Sequence, residues 1–182
     1  AENILITGAS SGIGEALAIH YAGKGTKNLF ICGRNQERLE KVKAKCEEFG
    51  TKVYAQIIDV KNREQVQNWI EECEKTAPLK LVFANAGVST GEETPNHIFN
   101  TFETNIMGVL NVVTPTAEIL KKRTDSDKTI VITASIAGYH GLPSCPSYSA
   151  SKACVKAYGE ALRGDLKKYG IKVCVVCPGF VR

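Results

Sequence analysis

The chain has 182 residues, 43% of them apolar and 23% charged, an ordinary globular composition that suits one domain around one core. A net charge of +4 is spread along its length, and the basic runs (Lys41, Lys43 and Lys45; Lys121, Lys122 and Arg123) are mixed with acids or sit at a helix end. They read as solvated faces and not as a nucleic-acid footprint. No segment is long and apolar enough to span a bilayer, and Ala1-Glu2-Asn3 is read as entering a strand with no secretory signal before it.

In chain order, residues 3–7 form a short apolar strand, followed by the glycine-rich turn Gly8-Ala9-Ser10-Ser11-Gly12-Ile13-Gly14. A helix follows with Ile13, Leu17, Ala18 and Tyr21 on one face, ending near Gly23 and Gly25. Residues 29–32 are a second strand, and residues 35–49 an amphipathic helix (Leu39, Val42, Cys46, Phe49) closed by Gly50. The pattern continues with a strand at 52–58, a helix at 62–76, a strand at 80–84 and one long helix at 97–122. A strand at 128–134, a helix at 147–169 and a last strand at 171–177 complete it. Strands that are apolar throughout and alternate with helices predict a doubly wound α/β domain, with a mostly parallel sheet covered on both faces.

Seven cysteines, an odd number scattered through apolar segments, point to reduced thiols in a cytoplasmic protein. Cys174-Val175-Val176-Cys177 spells CxxC, but it lies in a β-branched run with no second pair or nearby His, so these residues read as small core side chains. His20, His97 and His140 share no metal-ligand spacing.

In doubly wound sheets ligands bind beyond the carboxyl ends of the strands. Those ends carry the Gly8–Gly14 turn, Gly33-Arg34, Asp59-Val60, Asn85-Ala86-Gly87, Ser135 and Pro178-Gly179. The first turn lets backbone amides and a helix N-terminus approach a pyrophosphate, and its spacing is not that of a P-loop. After the second strand a site selective for NAD would offer a carboxylate to the ribose; here Arg34 stands instead, which suits a 2′-phosphate or else faces solvent ahead of the helix. Asp59 either accepts from an adenine amine or caps the helix beginning near Asn62. Asn105 lies mid-helix against its propensity, as an exposed residue or one with a role.

Tyr148 and Lys152 are four apart, one helical turn on one face, and an ammonium beside a phenol favours the phenolate. Ser135, at the end of an apolar run, could hold a carbonyl oxygen beside that phenol. Together these residues resemble the short-chain dehydrogenase/reductase family. The likeness rests on Thr7-Gly8-Ala9-Ser10-Ser11-Gly12-Ile13-Gly14 (TGxxxGxG), Asp59, Asn85-Ala86-Gly87, Asn105, Ser135, YxxxK at Tyr148 and Lys152, and Pro178-Gly179.

The resemblance implies a Rossmann-like fold and hydride transfer between NADP(H), or less favourably NAD(H), and a small carbonyl or alcohol substrate. It implies Tyr148 as general acid and base, with Lys152 assisting it and holding the nicotinamide ribose. Ser135 would polarise the substrate oxygen, Asn105 would position a relay water, and Pro178-Gly179 would lie against the nicotinamide. It also implies a homodimer or homotetramer through the long helices. Family members run past the Pro-Gly turn into a substrate loop and a seventh strand, so the chain reads as C-terminally truncated at Arg182. The rival reading is a dinucleotide-binding module without turnover, used for interaction or regulation.

Overall fold

The computed structural model describes residues 2–89 and 91–181; Ala1 and Arg182, the two chain ends considered above, lie outside the described residues. The strands are β1 (Asn3–Thr7), β2 (Asn28–Gly33), β3 (Lys52–Ile57), β4 (Leu81–Ala84), β5 (Lys128–Thr133) and β6 (Ile171–Val176). All pair in parallel, in the order β3-β2-β1-β4-β5-β6. The direction of strand addition therefore reverses between β1 and β4, where their carboxyl ends leave room for a ligand. The helices are α1 (Gly12–Gly23), α2 (Gln36–Glu47), α3 (Arg63–Thr76), α4 (Pro95–Phe102), α5 (Gly108–Lys121) and α6 (Pro146–Leu166). Among the described residues no helix is long and apolar enough to cross a membrane.

Consecutive residues of β1 point to opposite faces, yet all five are buried, because each face has its own helical cover. Leu5, Phe30, Val82 and Ile130 pack with Val66, Trp69 and Ile70 of α3 and Val109, Val112 and Val113 of α5. Ile4, Ile6, Leu29 and Ile31 pack with Ala18 and Ala22 of α1 and Leu39, Val42 and Cys46 of α2.

Cover on both faces fails at the sheet edges, where the sequence expectation needs correction. In β6, Ile171 and Val173 are buried, while Lys172, Cys174 and Val176 at the alternate positions are exposed. The cysteines are accordingly not all core residues. Cys32, Cys46 and Cys73 are buried, Cys145 and Cys177 half-buried, and Cys154 and Cys174 exposed. Burial pushes the Cys32 thiol up to about 12 and the Cys46 thiol up to about 11, which keeps both protonated.

The helix expected over 97–122 is interrupted. After α4 the backbone opens into a π turn at Glu103–Met107 before α5 resumes. The wider turn carries Asn105, which is fully buried and not the exposed residue that a regular helix allows. α1 buries Gly14, Ala18 and Ala22, while Ile13, Leu17 and Tyr21 stay half-buried. Small residues face the sheet because the helix begins hard against the first turn. Phe49 lies beyond the end of α2 and is 54% exposed.

Candidate active site

The carboxyl ends of the strands surround a cleft of about 560 Å³. Of the expected site residues, Gly8, Ser10, Ser11, Gly12, Ile13, Arg34, Asp59, Val60, Asn85, Ala86, Gly87, Ser135, Tyr148, Lys152, Pro178 and Gly179 line it. Gly14 and Asn105 do not, and each has a packing task instead.

The first turn is shaped by close approach. Gly8 has φ +67°, and a Cβ there would lie 2.7 Å from Ala86 Cα. At Gly14 a Cβ would fall 2.1 Å from the Gly8 carbonyl oxygen, so this glycine lets the start of α1 rest on the turn itself. Gly12 has φ +57° and open space before it. The N-cap residue of α1, Ser11, makes no side-chain cap bond, which leaves the amides of the first helical turn for a ligand. Thr7 locks the turn to β4: its Oγ1 accepts from the backbone N–H of Asn85 (3.0 Å) and Ala86 (3.1 Å), and its carbonyl accepts from Asn85 Nδ2 (3.1 Å).

At the end of β2 the cleft is lined by Arg34 and also by Arg38, which the sequence reading missed. Arg38 stands four residues on, in the first turn of α2, and this spacing was the available signal. Both guanidinium groups are exposed, and neither has a carboxylate within ion-pair distance among the described residues. Asp59 does not cap α3. Asn62 does, accepting from the Gln65 N–H at 3.1 Å, while Asp59 Oδ1 accepts from the Lys61 N–H at 3.0 Å. The adenine side of the alternative is thereby left open for Asp59, since it lines the cleft.

Tyr148 and Lys152 occupy the first two turns of α6, with the Lys152 ammonium 5.7 Å from the centre of the phenol ring. Lys152 is buried and, among the described residues, pairs with no carboxylate; its Nζ donates to the Thr133 carbonyl at 2.9 Å. Removal from water lowers its pKa to about 8. Ser135, at the end of β5, starts a short 3₁₀ turn, its Oγ accepting from the Ala137 N–H at 3.1 Å. Asn105 stands behind this group. Its Oδ1 accepts from the Val88 N–H (2.8 Å), and its Nδ2 donates to the Val88 carbonyl (2.9 Å) and to Ser151 Oγ (3.0 Å). A Cβ on Gly87 would lie 3.2 Å from Lys152 Nζ and 3.3 Å from Asn105 Oδ1, so all three meet at one point.

Two hydroxyls of cleft-lining residues, Thr104 Oγ1 and Thr133 Oγ1, are buried without a hydrogen-bond partner among the described residues. Buried polar atoms are normally paired, so these orphans fit a polar ligand group. Glycines that admit close backbone approach, free amides at α1, unpaired cations at one end and a phenol with a buried ammonium at the other together fit an elongated anionic dinucleotide. Thr104 and Thr133 carried no sequence signal, because nothing in the chain distinguishes an orphaned hydroxyl from a paired one.

The model of the short chain dehydrogenase family matches residues 2–182. Among curated proteins, the chain is 32% identical over 182 residues to sulfoacetaldehyde reductase 2 of Chromohalobacter salexigens, covering 97% of this chain and 71% of the relative. Among solved structures, it is similar to a short-chain dehydrogenase/reductase of Burkholderia phymatum in complex with NAD (TM-score 0.92, 33% identity, 100% of this chain and 66% of that one). It is also similar to NAD⁺-bound xylitol dehydrogenase (TM-score 0.92, 28% identity, 98% and 70%).

Proposed function

This chain belongs to the short-chain dehydrogenase family, whose members are oxidoreductases of alcohol and carbonyl groups, and we propose that it interconverts a small carbonyl compound and its alcohol using NADP(H). The observation that carries the reading is Lys152. A buried ammonium with no counter-ion among the described residues, one turn from Tyr148 and facing the same cleft as Ser135, disfavours the fold unless its charge is used.

When bound, the nicotinamide supplies the hydride. In reduction, Tyr148 donates its phenolic proton to the substrate oxygen, and in oxidation it takes that proton back. Lys152 stabilises the phenolate between those events, and Ser135 Oγ donates a hydrogen bond that fixes the oxygen. Asn105 holds the Val88 backbone against α6, and it is the residue that positions a water relaying protons to Lys152. Arg34 and Arg38 are the cations for a 2′-phosphate, and this favours NADP over the NAD bound in the two similar structures. Self-association as a homodimer or homotetramer through the long helices α5 and α6, with Met107 exposed in the π turn just before α5, and residence in a reducing cytoplasm complete the proposal.

The test is titration with NADPH and NADH, read by nicotinamide fluorescence, followed by NADPH oxidation with a panel of aldehydes and ketones. Arg34→Ala should weaken NADPH at least tenfold and NADH less than twofold. Equal losses would remove the phosphate reading. Binding without turnover of any carbonyl would favour the binding-module alternative.

A further inference from the structure

We propose that Glu93 is a positioning residue for Tyr148, supplying from the loop after β4 the N-terminal cap that α6 lacks. The idea rests on the reading of Tyr148 as the proton donor and concerns how the phenol is held. By its own sequence α6 begins poorly. Its N-cap residue, Cys145, makes no side-chain cap bond, and Pro146 at the first helical position has no N–H. The first amide left to satisfy is that of Ser147, a buried residue. Leaving such a donor unpaired away from water is costly.

Glu93 meets it from 54 residues away. Its Oε1 accepts from the Ser147 N–H at 3.1 Å and from Ser147 Oγ at 2.7 Å. An anion at this end of a helix is also favoured by the peptide dipoles. Tyr148 is the next residue. The segment bearing Glu93 lines the cleft through Val88 and Ser89, and its described anchors include Asn85 and Ala86 on Thr7, Val88 on Asn105, and Glu93 on Ser147. The contacts at Val88 and Glu93 join it to α6, through Ser151 (by way of Asn105) and Ser147 respectively. Without Glu93 the first helical turn frays, and that turn holds Tyr148. Lys152, a turn deeper, keeps its bond to the Thr133 carbonyl. The loss therefore falls on alignment for proton transfer and not on cofactor binding.

The experiment compares wild type, Glu93→Ala and Glu93→Gln in NADPH oxidation with 4-nitrobenzaldehyde as the probe carbonyl, alongside NADPH affinity by fluorescence. Glu93→Ala should lower kcat about tenfold with NADPH Kd within about twofold of wild type, and Gln, whose amide oxygen still accepts, should recover kcat to within about threefold. A kcat for Glu93→Ala within twofold of wild type overturns the proposal, as does a loss matched by weaker NADPH binding. A wild type that binds NADPH but reduces no probe counts against the oxidoreductase reading, and amide exchange then decides the cap alone. In Glu93→Ala the amides of Tyr148–Ala150 must exchange at least about tenfold faster, with those around Val155 unchanged; equal exchange refutes the cap.

Discussion

Replacing Lys152 by Met should stabilise the protein at neutral pH and destabilise it in alkali. In the fold the ammonium is buried, has no counter-ion among the described residues, and has its pKa lowered from 10.5 to about 8 by loss of hydration. A group whose charged form is disfavoured by folding destabilises most where that form is fully populated, here below pH 8. The penalty fades as pH rises from 8 towards 10.5, because the unfolded chain holds the proton over that interval and the folded one does not. The depression corresponds to roughly 3 kcal/mol at pH 7, falling below about 1 kcal/mol at pH 10. Met retains the length of the side chain but leaves the Thr133 carbonyl without its 2.9 Å donor, a loss of about 1–2 kcal/mol. The variant should then be more stable by about 1–2 kcal/mol at pH 7 and equal or less stable at pH 10. Urea unfolding at both pH values, followed by the fluorescence of the sole tryptophan, Trp69, on the buried face of α3, reads the difference directly. A difference between variant and wild type that does not change with pH would refute the argument, since it would mean that Lys152 carries the same proton affinity folded and unfolded.

Gly8→Ala should cost at least about 2 kcal/mol and abolish dinucleotide binding, because the new Cβ meets Ala86 Cα at 2.7 Å on a backbone with φ +67°; thermal unfolding and fluorescence titration measure the two effects. Asn105→Ala removes three hydrogen bonds at a fully buried position, and a loss of about 3 kcal/mol is expected from denaturant melts, against less than about 1 kcal/mol if the clamp on Val88 is unimportant. A thiol reagent applied to the native protein should label Cys154 and Cys174 rapidly and leave Cys32, Cys46 and Cys73 untouched until unfolding. Mass mapping that found Cys32 modified early would contradict the burial of β2.

Local patterning was enough to read the succession of six strands, the parallel sheet, the glycine turn and every helix except the break between α4 and α5. These features are local: apolar runs, period-3.6 stripes and glycines at strand ends express backbone and burial requirements residue by residue. It also brought Ser135, Tyr148 and Lys152 into one hypothesis, since helical spacing places the last two on one face. Only the tertiary structure decided the matters that depend on residues far apart in the chain. The π turn that buries Asn105 exists because Val88 and Ser151 offer it partners. Asp59 yields the cap of α3 to Asn62, although both types cap well. Cys174 is exposed because β6 stands at the edge of the sheet, although its sequence reads as core. Glu93 finds Ser147 only once β4 and α6 are laid side by side. A propensity can say that a side chain could pair; which partner it meets is a property of the packing that brings distant segments within 3 Å of each other.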